Sequence, residues 1–227
     1  FDINTGLPQA ILVDEANLTD LRTGIAGAIA SQTLANSDLE VATIIGSGVQ
    51  ARYQARCHVD LMSLNSLMIW ARDHKKAEVL MDDLADLNIT IKIRNDLEAL
   101  VKESQLIITA TSAKTPIIKS DWVQPGTHIT AVGSDTPEKC ELDPKLLAKA
   151  SIVVADSISQ NKLRGEIYQA LKENCLSVEN LIELGEVLEG TKLGRTGPNQ
   201  ITVADLTGVA IQDLVIAEAV YRAKISH

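Results

Sequence analysis

The hexapeptide Gly46-Ser47-Gly48-Val49-Gln50-Ala51 has the spacing G-x-G-x-x-A. It follows the apolar run Val41–Ile45 and opens a helical pattern. The first glycine permits a tight turn, the second lets backbone approach a pyrophosphate, and Ala51 lets the helix pack on the strand. Val49 and Gln50 begin the helix, where unpaired N–H groups and the positive dipole end meet phosphates. Between a strand and a helix this spacing is a specific dinucleotide signal; alone it would be a plain glycine turn. NAD sites usually end the second strand in an acid for the ribose hydroxyls. Here that strand ends Ile69-Trp70-Ala71-Arg72-Asp73. Ala71 stands where the carboxylate would be, and His74, Lys75 and Lys76 follow Arg72. A guanidinium grips a 2′-phosphate bidentately, so NADP(H) is favoured over NAD(H). The other reading makes Arg72 an exposed loop residue and gives the ribose to Asp73.

Asp135 stands just past a second apolar run, His128–Val132. The carboxyl ends of parallel strands line the ligand cleft of open α/β sheets. A partly desolvated carboxylate there, near a bound cation, can act as general acid/base. From the residues alone, an Asx turn before Pro137 explains Asp135 equally well. Thr111 follows the run Leu106–Thr109, where its backbone and hydroxyl face a cofactor ribose. Trp122 and Tyr168 read as packing residues and Glu166 as a turn-setting one.

These residues need a scaffold, and the chain supplies an alternating one. Val41–Ile45, Leu67–Trp70, Thr90–Ile93, Leu106–Thr109, His128–Val132 and Ser151–Ala155 are short and rich in Val, Ile and Leu. Such runs fit strands covered on both faces. Helical periodicity fills Gln50–Leu61, Lys75–Leu87, Asp96–Lys102 and Pro144–Lys149. Alternation of this kind predicts an α/β fold, a Rossmann-type doubly wound parallel sheet. Two long amphipathic helices flank it. Leu18–Ala35 has Thr19 as its expected N-cap, and Asp205–Ala223 has Asp205. They are expected to pack side by side. The implied division gives 36–204 to a dinucleotide-binding domain and 1–35 with 205–227 to part of a substrate and dimerisation domain. Phe1-Asp2-Ile3 reads as a strand end, Asn4-Thr5-Gly6 as a turn and Leu7–Val13 as the next strand, so residues are expected to precede Phe1.

The 227 residues carry a net charge of -9, which gives no electrostatic footprint for nucleic acid or an anionic membrane. No long uncharged apolar run suggests a membrane span. Cys57, Cys140 and Cys175 are scattered, as in a reducing cytoplasm, and no His or Cys pair has zinc spacing, so no metal is expected.

The chain resembles the ornithine cyclodeaminase/mu-crystallin family. The resemblance lies in Gly6-Leu7-Pro8-Gln9-Ala10, Leu18-Thr19-Asp20-Leu21-Arg22-Thr23, the glycine loop, Ala131-Val132-Gly133-Ser134-Asp135, Gly165-Glu166 and Gly208-Val209-Ala210-Ile211-Gln212-Asp213, in order. It implies hydride transfer at the Cα–N centre of an amino or imino acid, or simple cofactor binding, in a homodimer. It implies that Asp135, which mu-crystallin lacks, manages the proton on nitrogen and touches the substrate. Arg22 would meet cofactor and substrate carboxylate. Ala131, Val132, Lys139 and Leu206 would line the cofactor, and Thr207 the substrate. The leading expectation is NAD(P)H-dependent reduction of a cyclic ketimine such as pyrroline-2-carboxylate. The alternatives are ornithine cyclodeaminase, reductive amination of a 2-oxo acid and a non-catalytic NADP(H) binder.

Overall fold

The computed structural model describes residues 1–225; Ser226 and His227, the end of the 205–227 segment, lie outside the described residues. The strands are β1 (Val41–Ile45), β2 (Ser66–Trp70), β3 (Thr90–Ile93), β4 (Leu106–Thr109), β5 (His128–Ala131), β6 (Ile152–Ala155), β7 (Leu181–Glu183) and β8 (Thr202–Asp205). They form one sheet in the order β3-β2-β1-β4-β5-β8-β6-β7, parallel at every pairing. The order reverses between β1 and β4, which opens a crevice at their carboxyl ends. The helices are α1 (Asn17–Leu34), α2 (Val49–Met62), α3 (His74–Asp83), α4 (Leu97–Glu103), α5 (Pro144–Lys149), α6 (Ile158–Asn161), α7 (Gly165–Lys172), α8 (Leu184–Leu188) and α9 (Ala210–Ile225).

Successive strand residues point to opposite faces, so each apolar run feeds two cores. Ile44, Ile108, Val154 and Ala204 pack with Leu34 of α1, Ala55 of α2, Leu80 of α3 and Leu184 of α8. Their neighbours Ile45, Ile107, Val153 and Val203 pack with Val101 of α4, Leu147 of α5 and Ile167 of α7. The sheet is therefore covered on both sides, as its unbroken hydrophobic strands require. Among the described residues, no helix is long and apolar enough to cross a membrane.

Several local expectations fail for identifiable reasons. Leu7–Val13 is not a strand; no neighbouring strand pairs with it, and it runs mostly exposed without regular structure. Thr19 does not cap α1. Asp14 does that work, its carboxylate accepting the Leu18 N–H at 2.6 Å, while Ala16 turns the chain at φ 70°. Asp205 does not cap the last helix. It ends β8 in register with Ala131 and Ala155, and its carboxylate accepts the Ile167 N–H at 2.8 Å. The third helix stops at Asp83, because tighter turns around Leu84 and Leu87 replace its ladder. Helices α1 and α9 do lie in contact, and α1 also packs on α2, β5 and β8.

Candidate cofactor and substrate site

The register sets the site. Gly46 N–H bonds to Trp70 O, Ala110 N–H to Ile45 O, Val132 N–H to Thr109 O and Leu206 N–H to Ala131 O. Gly46, Ala71, Ala110, Val132 and Leu206 therefore leave the sheet in one row, at the carboxyl ends of β1, β2, β4, β5 and β8. The sequence-predicted residues converge on this edge from distant parts of the chain.

The glycine loop is pressed against β4 at one end and open at the other. Gly46 has φ +135°, and a Cβ there would lie 2.3 Å from Ala110 O. Both observations require glycine. Around Gly48 a Cβ would meet nothing within 4 Å. Gly48 is the N-cap of the 14-residue α2, and no side chain caps that helix. Its first N–H groups are thus left to the open side, which fits a bound pyrophosphate. Val49 is exposed there, with its N–H available. The Gln50 side chain turns away to donate to Asp20 of α1 at 2.7 Å, leaving its main-chain N–H as what it can offer a phosphate.

At the end of β2, Arg72, Lys75 and Lys76 are exposed, and among the described residues no hydrogen bond or ion pair engages their side chains. Asp73 is committed elsewhere. It is the N-cap of α3 and accepts the Lys75 N–H at 3.1 Å.

Beyond β5, Asp135 is 56% exposed at its side chain and accepts from Lys139 Nζ at 2.5 Å. Two buried carboxylates hold the loop from below. Glu141 accepts the Gly133 N–H, and Glu166 accepts the Ser134 hydroxyl. Burial and the neighbouring Glu166 push the Glu141 carboxyl up to about 7. Burial likewise raises Glu166, whose oxygens also take the N–H groups of Glu141 and Leu142 at 2.8 and 3.0 Å. Thr111 at the end of β4 is half-buried, its N–H held by Glu141.

The fourth wall comes from β8, α1 and α9. Leu206 is buried in the core, so its main chain is what faces the site. Thr207 is buried against Asp156 and Asn161. Asp156, raised by burial, accepts the Gly208 N–H at 2.7 Å and fixes this loop. Arg22 is 14% exposed at its side chain. Its Nε donates to Asp213 at 2.9 Å and its Nη1 to Gln212 at 3.0 Å, so the guanidinium is anchored on both sides, and among the described residues Nη2 between them has no hydrogen-bond partner and can meet an anion.

Sequence reasoning had not singled out Glu141, Asp156, Gln212 or Asp213 as working side chains. Asp156 had a readable signal, an acid directly after a buried strand. Glu141 had none, because its partners lie at and just past the ends of β4 and β5. Among the described residues, no group of three His, Cys, Asp or Glu is placed to hold a metal ion.

The arrangement is an anion cradle, a positioned guanidinium and an accessible carboxylate on one sheet edge. A protein of Sinorhizobium fredii described as an uncharacterized cyclodeaminase is 42% identical over 220 residues, 96% of this chain and 66% of its own length. The alanine dehydrogenase of Archaeoglobus fulgidus is 37% identical over 223 residues, 98% of this chain and 68% of its own. The Thermococcus litoralis Δ1-pyrroline-2-carboxylate reductase, solved with NADH and L-proline, superimposes with a TM-score of 0.93 at 30% identity, covering 100% of this chain and 70% of its own. The chain thus spans about two thirds of the length of the curated relatives it matches. The model of the ornithine cyclodeaminase/mu-crystallin family matches residues 1–226, and the chain belongs to that family.

Proposed function

We propose that this protein is a nicotinamide-dependent oxidoreductase of the Cα–N bond of an amino or imino acid, working to reduce a cyclic ketimine such as pyrroline-2-carboxylate to proline. The observation that carries the reading is Asp135: an accessible carboxylate, paired with Lys139, on the same sheet edge as the glycine cradle. A bound reduced nicotinamide would supply the hydride. The chain's own part is to bind, orient and protonate. The α2 amides hold phosphate, Arg22 offers its free Nη2 to the substrate carboxylate, and Asp135 delivers a proton to the imine nitrogen. The small-molecule substrate is an amino or imino acid.

NADP(H) is the proposed preference. Its support is the free cationic group Arg72, Lys75 and Lys76 beside Ala71, with Asp73 occupied as a helix cap. NADH in the Thermococcus reductase shows that a relative takes the unphosphorylated cofactor. A second reading, reductive amination of an acyclic 2-oxo acid, draws on the similarity to the alanine dehydrogenase. A homodimer, with 1–35 and 205–227 in its substrate and dimer layer, is part of the same proposal.

The test is a panel. NADPH and NADH consumption is followed with cyclic ketimines and with 2-oxo acids plus ammonia, and proline release is followed from ornithine with NAD⁺. The proposal expects the fastest turnover with a cyclic ketimine and NADPH. Proline and ammonia from ornithine without net NADH would replace it with a cyclodeaminase.

A further inference from the structure

We propose that Glu141 is a positioning residue that sets the spacing between the Thr111 and Asp135 loops. The inference rests on the site assignment above and deepens it. Glu141 is fully buried, yet the donors it serves are the last residue of β4 and the two loops. Oε1 accepts the Thr111 N–H at 2.6 Å. Oε2 accepts the Thr109 hydroxyl at 2.7 Å and the Gly133 N–H at 3.0 Å. One carboxylate therefore bridges the carboxyl ends of β4 and β5, where each strand has just left its ladder. The approach is close. A Cβ on Gly133 would lie 2.5 Å from Glu141 Oε1 and 2.4 Å from Thr111 O, so only glycine admits the bridge.

The main chain around Glu141 is tied to the same pair of loops. Its carbonyl accepts the Ile117 and Ile118 N–H groups, and Cys140 N–H bonds to Ala113 O. Its own N–H is held by Glu166, which also takes the Ser134 hydroxyl next to Asp135. A buried carboxylate is costly unless donors compensate it. Here the compensating donors come from the end of β4 and from the two loops that face the cofactor and the reacting nitrogen. Three bonds in a low-dielectric interior hold them more stiffly than strand ends alone would be. A displacement of about 1 Å at a reacting group can cost a hundredfold in rate.

Glu141→Gln is the test, because it keeps the shape but turns an N–H₂ donor toward Thr111 N or toward Gly133 N. With turnover counted per cofactor-binding site, kcat should fall at least tenfold while KM for the imine stays within twofold, and the Kd for NADPH should rise severalfold. Backbone amide exchange at Thr111 and Gly133 should quicken, with little change in the rest of the sheet. Thr109→Val removes one donor and leaves the carboxylate in place. It should move kcat the same way by a smaller factor, which keeps the test open if Glu141→Gln folds poorly. Wild-type kcat and Kd in both variants, with unchanged amide exchange, would overturn the role. If the wild-type protein itself reduces no imine, the proposed function fails. The Kd and exchange arms still decide Glu141.

Discussion

Arg72 and Asp73 are adjacent in sequence and opposite in availability. Asp73 caps α3, while no hydrogen bond or ion pair engages Arg72 among the described residues. Under the proposed NADP(H) preference this guanidinium beside Ala71 would grip the 2′-phosphate, and bidentate charge-assisted bonds to phosphate are among the stronger ones. Arg72→Ala should therefore lower kcat/KM for NADPH at least tenfold while leaving NADH nearly unchanged. Steady-state kinetics with both cofactors measures this, and an equal loss with both would show that Arg72 does not read the 2′-phosphate. Arg22 makes a parallel case. Asp213 holds its Nε, so Asp213→Asn should raise the substrate KM severalfold with little effect on cofactor Kd, as expected for a group that aims another. Arg22 could be anticipated from the resemblance, but Gln212 and Asp213 could not. Nothing in a helix-start motif says which arginine, some 190 residues away, it will anchor.

Helix α1 matters at the next scale, because it carries Arg22 into the site. A buried hydrogen-bond chain fixes its position on the sheet. His58 Nδ1 meets Gln54 O at 2.7 Å, which assigns the proton to Nδ1 and makes Nε2 an acceptor. Ser31 then donates to His58, Thr130 to Ser31, and His128 Nε2 to Thr130, at 2.8, 2.8 and 2.9 Å. His128 Nδ1 lies 2.8 Å from Thr202 Oγ1, the Thr202 hydroxyl donates to Leu34 O at 3.0 Å, and Arg195 Nε serves the same Leu34 O at 2.6 Å. Both imidazoles are neutral here. Burial lowers His58 to about 4 and His128 to about 3, from an ordinary value of 6.5. Their folded values are depressed, so their contribution to stability is complete above pH 6.5 and falls as pH drops through the window from 6.5 to about 4 and about 3. Each costs about 1.4 kcal/mol per pH unit within it. Glu141 slopes the other way between 4.5 and about 7, because the folded chain holds that proton more tightly than the unfolded one. NMR titration should therefore find the His58 and His128 rings neutral at pH 5, and a charged ring at that pH would contradict the chain. Ser31→Ala leaves two buried partners unmatched and should cost about 1–3 kcal/mol, a drop of several degrees in Tm. A melt indistinguishable from wild type would show the chain to be dispensable.

Seen whole, the sheet was readable and its far half was less so. Strands β1 to β6 are short runs rich in apolar residues, buried at nearly every position in β1, β4, β5 and β6, while β3 at the sheet edge alternates exposed and half-buried residues. Strand β7 has only three residues, and β8 hides behind the loop at Pro198. Asp205 shows why. An acid before an apolar stretch has the look of a helix cap, but pairing with β5 and β6 claims it for the sheet. The same limit applies to the site. Gly46 and Gly48 stand out by spacing and Arg72 by the missing acid at Ala71, Asp135 is singled out only by the family resemblance, and Glu141 acquires meaning only when β4 and β5 lie side by side. The scaffold that results brings a phosphate cradle, an anchored arginine and an accessible carboxylate to one edge. The most direct measurement compares NADPH consumption with pyrroline-2-carboxylate by the wild-type protein and by Asp135→Asn, alongside NADPH Kd for both. The account predicts proline formation by the wild type and a loss of roughly a hundredfold or more in kcat in the variant, with Kd unchanged. Undiminished turnover by Asp135→Asn, or no turnover by the wild type with any imine, would contradict it.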